Sequence, residues 1–294
     1  MSVAQGLLGH RSPRRTWTDR VAVAALAASV IVAVGVLTLV LGYTIARGAR
    51  AISFDFLTHS MKGVGPLDAT GGVYHSIIGT VEQVLIASLL SIPLGLLAAI
   101  YIVEYGTNRF AFAVRFFVDV MTGIPSIVAG LFVFSFWVLG LHQGFSGFAA
   151  GMALSVLMLP VVIRASEEML RLVPDHLREA SYALGIPRWR TIISVVLPTA
   201  SAGLTTAVVL AIARVTGETA PLLVTAFGFE SIKTNPFDGP QSALPLYVWS
   251  QAASAFDVAV RRAWAAALTL VVVVLALIAL ARLLTRRDRL GVTQ

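Results

Sequence analysis

Long runs of uncharged, apolar residues constrain this chain more than any other feature of its sequence. Residues 21–46 contain no Asp, Glu, Lys or Arg, and residues 120–163 are equally uncharged. A helix of about 20 mostly apolar residues crosses the hydrocarbon core of a bilayer. Charged residues make up only 13% of the chain and its mean hydropathy is +0.84, so one water-soluble core cannot hide its apolar surface. The sequence therefore predicts an all-α membrane protein.

The apolar runs predict six transmembrane helices. Residues 120–163 are too long for one span, and the glycine-rich stretch 140–147 divides them into two. The predicted spans are residues 21–46, 77–103, 111–139, 148–163, 199–224 and 263–284. They form a transmembrane domain at 21–284, between an N-terminal tail at 1–20 and a C-terminal tail at 285–294.

The basic residues are distributed as expected for a membrane protein with both termini in the cytoplasm. The net charge is +7. Of the 22 Lys and Arg residues, fifteen fall in segments that this topology places inside and six in outside loops, while Arg214 remains within a span. This agrees with the positive-inside rule, so the charge gives no reason to expect nucleic acid as a partner. The chain has no cysteine, and its scattered histidines lack metal-ligand spacing, so neither a metal nor a cofactor is expected.

The predicted inside connection at 164–198 contains a patterned short helix. Pro174 and Asp175 suit a first helical turn, and Gly185 lies where a left-handed cap would end the helix. One apolar face is predicted from Leu177, Ala180 and Leu184. The pattern predicts a helix at 174–186 that a partner could grip, although an ordinary amphipathic surface helix fits it equally well. Glu167 and Glu168 are expected on a solvated face of the same connection.

A charged pair lies within the predicted fifth span. Arg214 and Glu218 are spaced i, i+4, which puts them on one face of a continuous helix. A charge near mid-bilayer is costly, so it faces the protein interior or a water-filled path. The pair is either an ion pair that locks helices together or an anion site, since the planar fork of arginine suits phosphate oxygens. Thr216 and Thr219 add hydroxyl groups beside it.

Two accounts of Glu218 remain open for an anion site. It either pairs with Arg214 at rest and yields when the anion arrives, or accepts a hydrogen bond from a protonated phosphate oxygen. Sulfate carries no such proton at neutral pH, so the second account disfavours sulfate.

The inside connection resembles a known loop of ABC importer permeases. That loop reads E-A-A, three residues, G, nine residues, I-x-L-P. Here Glu179-Ala180-Ser181 precedes Gly185 and residues 195–198, with departures at Ser181 and Val195 that are conservative in size. Three further stretches, at 122–130, 172–185 and 211–223, are similar to the phosphate permeases of this class, and the resemblance extends from about Tyr74 to the last span.

The resemblance implies a fold, a mechanism and partners. It implies a type I (MetI-like) ABC importer permease fold with its core at about 74–284, in the bacterial cytoplasmic membrane. Residues 175–185 would be a coupling helix docked in a cytoplasmic ATPase, with Glu179 and Gly185 in the contact. Arg214 and Glu218 would lie on the phosphate path, and Arg164 also matches a family arginine, although a positive-inside residue at a span end explains it as well. The implied partners are a second permease subunit, two copies of the ATPase, an external phosphate-binding protein, and membrane lipid.

Other functions remain open at this point. The chain has no G-x-x-x-x-G-K-[ST] match, so ATP hydrolysis would come from a separate subunit and the chain itself is expected to be no enzyme. The alternatives are an ABC permease for sulfate, molybdate or another oxyanion, an ion-coupled secondary transporter, and a membrane sensor of phosphate status.

Overall fold

The computed structural model describes residues 13–65, 67–106 and 108–290, and side chains from residue 17 to residue 283 within those ranges. These residues form helices joined by loops, as predicted. In chain order the helices are α1 Pro13–Gly48, α2 Phe54–Thr58, α3 Tyr74–Ile100, α4 Arg109–Gly123, α5 Ser126–Val133, α6 Gly147–Arg171, α7 Asp175–Ala183, α8 Arg188–Thr191, α9 Leu197–Thr216, α10 Ala220–Thr225, α11 Leu244–Ala252 and α12 Asp257–Leu290. Short π-helical segments extend α3 (Tyr101–Tyr105) and α5 (Phe134–Gly140) and join α8 to α9 (Ile192–Val196).

Five of these helical stretches are long and apolar enough to cross a membrane. They are Trp17–Gly48, Tyr74–Tyr105, Gly147–Arg171, Arg188–Thr216 and Asp257–Leu283. A sixth crossing requires α4 and the α5 segment to count together, and these two are bent by 107° relative to each other. The chain is therefore a multi-pass membrane protein, and the predicted third span at 111–139 is wrong as one straight helix.

The bend between α4 and α5 has a local cause. Ile124 leaves the helix with φ −72° and ψ 128°. Proline disfavours the helical conformation of the residue before it and has no N–H to donate. Pro125 therefore ends α4 and starts α5 in a new direction.

Several predicted boundaries differ from the observed helices: most were too narrow, and the end of the fifth span was placed too late. The fourth span continues past Ile163 to Arg171, and the fifth starts at Arg188 and ends at Thr216 rather than covering 199–224. The first and last helices enter both predicted tails, whose outermost residues, 1–12 and 291–294, lie outside the described part of the chain. Hydropathy marks only the apolar middle of a helix, whereas charged turns continue the same backbone hydrogen bonding.

The contacts divide the chain into two compact units, residues 1–47 and 48–294. In the second unit, α3 and α6 form the most extensive helix pair. A Cβ on Gly95 would lie 2.6 Å from Val162 Cγ1, and one on Gly151 2.6 Å from Ile86 Cγ2. Small residues thus bring the two helices close together, as is usual for helices packed in membranes. This pair is the frame on which α7, α9 and α10 are positioned.

Candidate functional site

Helix α7 occupies the place predicted for the patterned helix of the inside connection. It covers Asp175–Ala183 and follows Pro174, and Gly185 has a φ of +74°. The Gly185 N–H donates to the Tyr182 carbonyl (2.9 Å), and the Ile186 N–H donates to the Ser181 carbonyl (3.2 Å). This paired arrangement is a Schellman cap, which requires a left-handed residue. The predicted helix and its glycine cap are confirmed.

The face that α7 turns toward the rest of the chain differs from the predicted one. Leu177 is half-buried against the apolar cluster around Leu170 and Val173, but Ala180 is exposed and Leu184 is 79% exposed. Instead, Ser181 is buried, and its Oγ hydrogen-bonds Thr191 Oγ1 at 2.8 Å.

The prediction of one apolar face failed at Leu184 because α7 ends after nine residues. Leu184 lies in the cap, where the helical period no longer applies. Glu179, Ala180 and Leu184 are all exposed and therefore accessible to a partner.

A buried ion pair that sequence analysis missed connects α7 to α3. Arg178 donates from Nε (3.1 Å) and Nη2 (3.0 Å) to Glu104 Oε1, and Glu104 is only 3% exposed. Arg178 also donates to the carbonyls of Leu170 (3.1 Å) and Val173 (2.6 Å), at the end of α6. One side chain thus ties together three elements. Seventy-four residues separate the paired charges, so no local pattern could have indicated them.

A second ionic cluster surrounds Glu167 and corrects the prediction for that residue. Glu167 is buried rather than solvated, and it accepts hydrogen bonds from Arg115 (3.3 Å), Arg164 (3.1 Å) and Arg171 (2.6 Å). Arg164 also pairs with Asp119. The charge of Arg164 is therefore engaged between α4 and α6, and its place on a substrate path stays a prediction. Glu168 is exposed, as predicted.

The predicted charged pair lies at a helix break and not inside a continuous helix. Helix α9 ends at Thr216 with Gly217 as its C-cap, so Glu218 lies beyond it, and the i, i+4 argument for a shared face does not apply. At about 1.5 Å of rise per residue, Arg214 lies about 25 Å along α9 from Leu197, at the end remote from α7.

The two charges do not pair with each other. Neither side chain has a hydrogen bond or ion pair with any residue that the structure describes. Arg214 is exposed in the single chain, and Glu218 is half-buried. This geometry therefore does not agree with an ion pair that locks helices together. It also does not agree with Glu218 pairing with Arg214 at rest. A free cation and a free carboxylate therefore lie four residues apart in sequence, on either side of the break.

The two threonines differ in their environment. Thr216 is buried, and its Oγ1 donates to the Ile212 carbonyl at 2.7 Å, back along its own helix. Thr219 is half-buried, and its carbonyl accepts from the Leu222 N–H at 3.1 Å at the start of α10. Only Thr219 therefore has a hydroxyl that its own helix does not occupy.

Close packing with α5 holds the segment after the break. A Cβ on Gly130 would lie 2.6 Å from Pro221 Cα and 2.9 Å from Val224 Cγ2. The bend at Pro125 directs α5 toward α10, and Gly130 lets their backbones meet. The stretch 122–130 thus supports the geometry of the break through packing.

A buried polar layer closes the same end of the chain. Gln241 donates to Glu82 Oε2 at 2.5 Å, and Gln83 donates to Gln241 Oε1 at 3.0 Å. A Cβ on Gly79 would lie 1.9 Å from the Ser242 carbonyl oxygen. These contacts hold the loop before α11 against α3. Glu82 and Gln83 are adjacent polar residues inside a predicted apolar span, and this signal could have predicted the layer.

With this geometry established, comparison with known proteins identifies the class. Residues 91–289 match the family described as binding-protein-dependent transport system inner membrane component. The inward-facing MetNI methionine ABC transporter has a similar fold, with a TM-score of 0.56 at 19% identity, covering 83% of this chain and 100% of that chain. An amino acid ABC transporter solved with histidines has a TM-score of 0.56 at 18% identity, covering 80% and 100% of the two chains.

Curated relatives narrow the class further. The phosphate transport system permease protein PstA 1 of Mycobacterium tuberculosis H37Rv is 47% identical over 282 residues, covering 94% of this chain and 92% of the relative. The PstA proteins of Mycobacterium leprae and Yersinia pestis are 46% and 37% identical, covering 90% and 96% of this chain and 87% and 96% of their own. The chain therefore belongs to the binding-protein-dependent transport system inner membrane components, and its relatives there are PstA permeases. The predicted all-α fold of an ABC importer permease is confirmed.

Proposed function

We propose that this chain is the permease subunit of an ATP-driven importer of inorganic phosphate in the bacterial cytoplasmic membrane. The observation that carries the proposal is the likeness, at 46–47% identity over at least 90% of the chain, to proteins named as phosphate transport permeases. The excess of basic residues on the α7 side supports a cytoplasmic position for α7 and for both termini.

The partner for α7 is a cytoplasmic ATPase, of which the complex holds two copies. The exposed Glu179, Ala180 and Leu184 offer a short rigid surface that such a subunit can grip. Asp175, in the first turn of α7, and the Gly185 cap keep that surface in shape. The ATPase partner hydrolyses ATP. When the two ATPase copies close on each other, they rotate the spans as rigid bodies.

The path for phosphate passes the break between α9 and α10, where a second permease subunit completes its wall. Arg214 supplies a free guanidinium fork that matches phosphate oxygens. Glu218 accepts a hydrogen bond from a protonated phosphate oxygen and so disfavours sulfate. An external phosphate-binding protein delivers the anion.

Reconstitution tests this function. The chain, a second permease, the ATPase and the binding protein in liposomes should take up labelled phosphate only with ATP. Arg214→Gln should lower the uptake rate about 10- to 100-fold, because hydrogen bonds to charged groups contribute about 1.5–3 kcal/mol. Arg261→Gln, an exposed arginine at the start of α12, is the matched control. Full phosphate flux through Arg214→Gln would refute the proposed path.

A second measurement tests Glu218. Glu218→Gln should raise competition by sulfate relative to phosphate, since the amide can also donate a hydrogen bond. Unchanged competition between the two anions would refute this role of Glu218.

A further inference from the structure

The C-terminal end of α3 makes charged contacts with two other helices. Glu104, in the π-helical segment after α3, is 3% exposed, and Arg178 is 12% exposed in its side chain. π-helical turns are rare and are frequently found at functional sites. A buried carboxylate is costly without a hydrogen-bonded partner, and both donors to Glu104 Oε1 come from Arg178. We call this pair the α3–α7 joint.

The same segment is held from its other side by α4. Arg115 Nη2 donates to the Ile102 carbonyl at 3.0 Å while its Nε donates to Glu167. A Cβ on Gly106 would lie 1.9 Å from the Ile102 carbonyl oxygen, so the chain turns tightly there. The end of α3 is therefore fixed between α4 and α7 and has little freedom to move independently of either.

The covalent chain does not make this connection. Helix α7 is joined through residues 172–174 to α6 and through 184–187 to α8, but Glu104 lies 74 residues before Arg178 in sequence. Leu177 supplies apolar contact with the cluster that includes Ala99. Apolar contacts permit sliding, whereas hydrogen bonds from a guanidinium fork to one carboxylate oxygen define a geometry.

We propose that Glu104 and Arg178 are positioning residues that make α7, the end of α6 and the end of α3 move as one body. Because Arg178 also binds the Leu170 and Val173 carbonyls, displacement of α7 pulls on α3 and α6 together. This inference rests on the proposed function, since it describes how work done on α7 by an ATPase reaches the spans. Both residues are assigned a positioning role, separate from the proposed anion path at Arg214.

The test measures coupling and not activity alone. In the reconstituted complex, Arg178→Gln should lower the phosphate transported per ATP hydrolysed about tenfold, a typical coupling effect. In the Arg178→Gln complex, the ATPase should still bind the permease and should keep its basal rate of ATP hydrolysis. The matched control is Arg109→Gln, which removes an exposed arginine at the start of α4. A ratio unchanged from that of the control would overturn the inference.

Replacing the Glu104–Arg178 ion pair with a covalent cross-link distinguishes a positioning role of the pair from a role in stability alone. The chain has no cysteine, so Glu104→Cys with Arg178→Cys creates a unique pair when the partner subunits are free of reactive cysteines. Before cross-linking, the phosphate-to-ATP ratio should be low. A short bis-methanethiosulfonate reagent, which joins the two thiols through disulfide bonds and releases methanesulfinate, should restore it. A reductant should lower it again, while the cysteine-free chain should not respond. A cross-link that leaves the ratio low, or that stops transport, would overturn a joint that moves as one body.

These outcomes are distinct from failure of the proposed function. If the unsubstituted complex takes up no phosphate with ATP, the proposed function fails. If it transports normally and the Arg178→Gln ratio is unchanged, only the joint fails.

Discussion

Replacing Glu167 tests whether its buried charge stabilises the packing of α4 against two turns of α6. Its carboxylate accepts from Arg115 at 3.3 Å, Arg164 at 3.1 Å and Arg171 at 2.6 Å. Glu167→Gln keeps the size of the side chain but removes the negative charge. Three arginines would then face one another with only Asp119 left as a partner in the cluster.

The expected loss of stability follows from the burial of the four side chains. Removing one partner of a fully buried pair costs about 3–5 kcal/mol. Arg115, Arg164 and Arg171 are 31%, 36% and 57% exposed in their side chains, so water recovers part of the loss. We therefore expect about 2–3 kcal/mol of destabilisation, with the arginines partly screened by solvent.

The assay is thermal unfolding of the purified complex in detergent. A loss of this size should lower the midpoint by about 5–10 °C. Glu168→Gln removes the neighbouring, exposed carboxylate and is the matched control, expected to stay within about 0.5 kcal/mol of the unsubstituted chain. Equal midpoints for the two variants would refute the reasoning that the buried ionic cluster stabilises this end.

Two glycine substitutions test the helix cap and the close approach beside the break. Gly185→Ala adds a Cβ where φ is +74° and no heavy atom lies within 4 Å, so strain alone should cost about 1–2 kcal/mol. Amide hydrogen exchange in α7 should become faster, and unchanged exchange would argue against the cap. Gly130→Ala would place a Cβ 2.6 Å from Pro221 Cα, and since backbone cannot rotate away, overpacking should cost about 1–3 kcal/mol. Gly123→Ala is the control, because a Cβ there meets nothing within 4 Å. The thermal midpoint of Gly130→Ala should be lower than that of this control, and equal midpoints would contradict the contact between α5 and α10.

Local patterns were sufficient for much of the fold. Uncharged runs indicated the spans because hydropathy is a property of neighbouring residues. Pro174 and Gly185 indicated where α7 begins and ends because both act on their own backbone dihedrals. The resemblance of the motifs then led to the correct family.

The same local patterns failed where the chain changes direction. Residues 111–139 look like one helix by composition, but Ile124 and Pro125 bend them by 107°. Arg214 and Glu218 look like neighbours on a helix face, but the helix ends between them at Thr216.

The sequence by itself determined that this chain crosses a membrane with several helices and carries a capped helix between the fourth and fifth spans. Only the tertiary structure decided which charges are buried and which remain free. Glu104 and Glu167 meet arginines 74 and 52 residues away, while Arg214 meets none of the carboxylates that the structure describes. The reason is physical: hydropathy and helical period are set by adjacent residues, whereas the desolvation of a charge depends on what distant helices place around it.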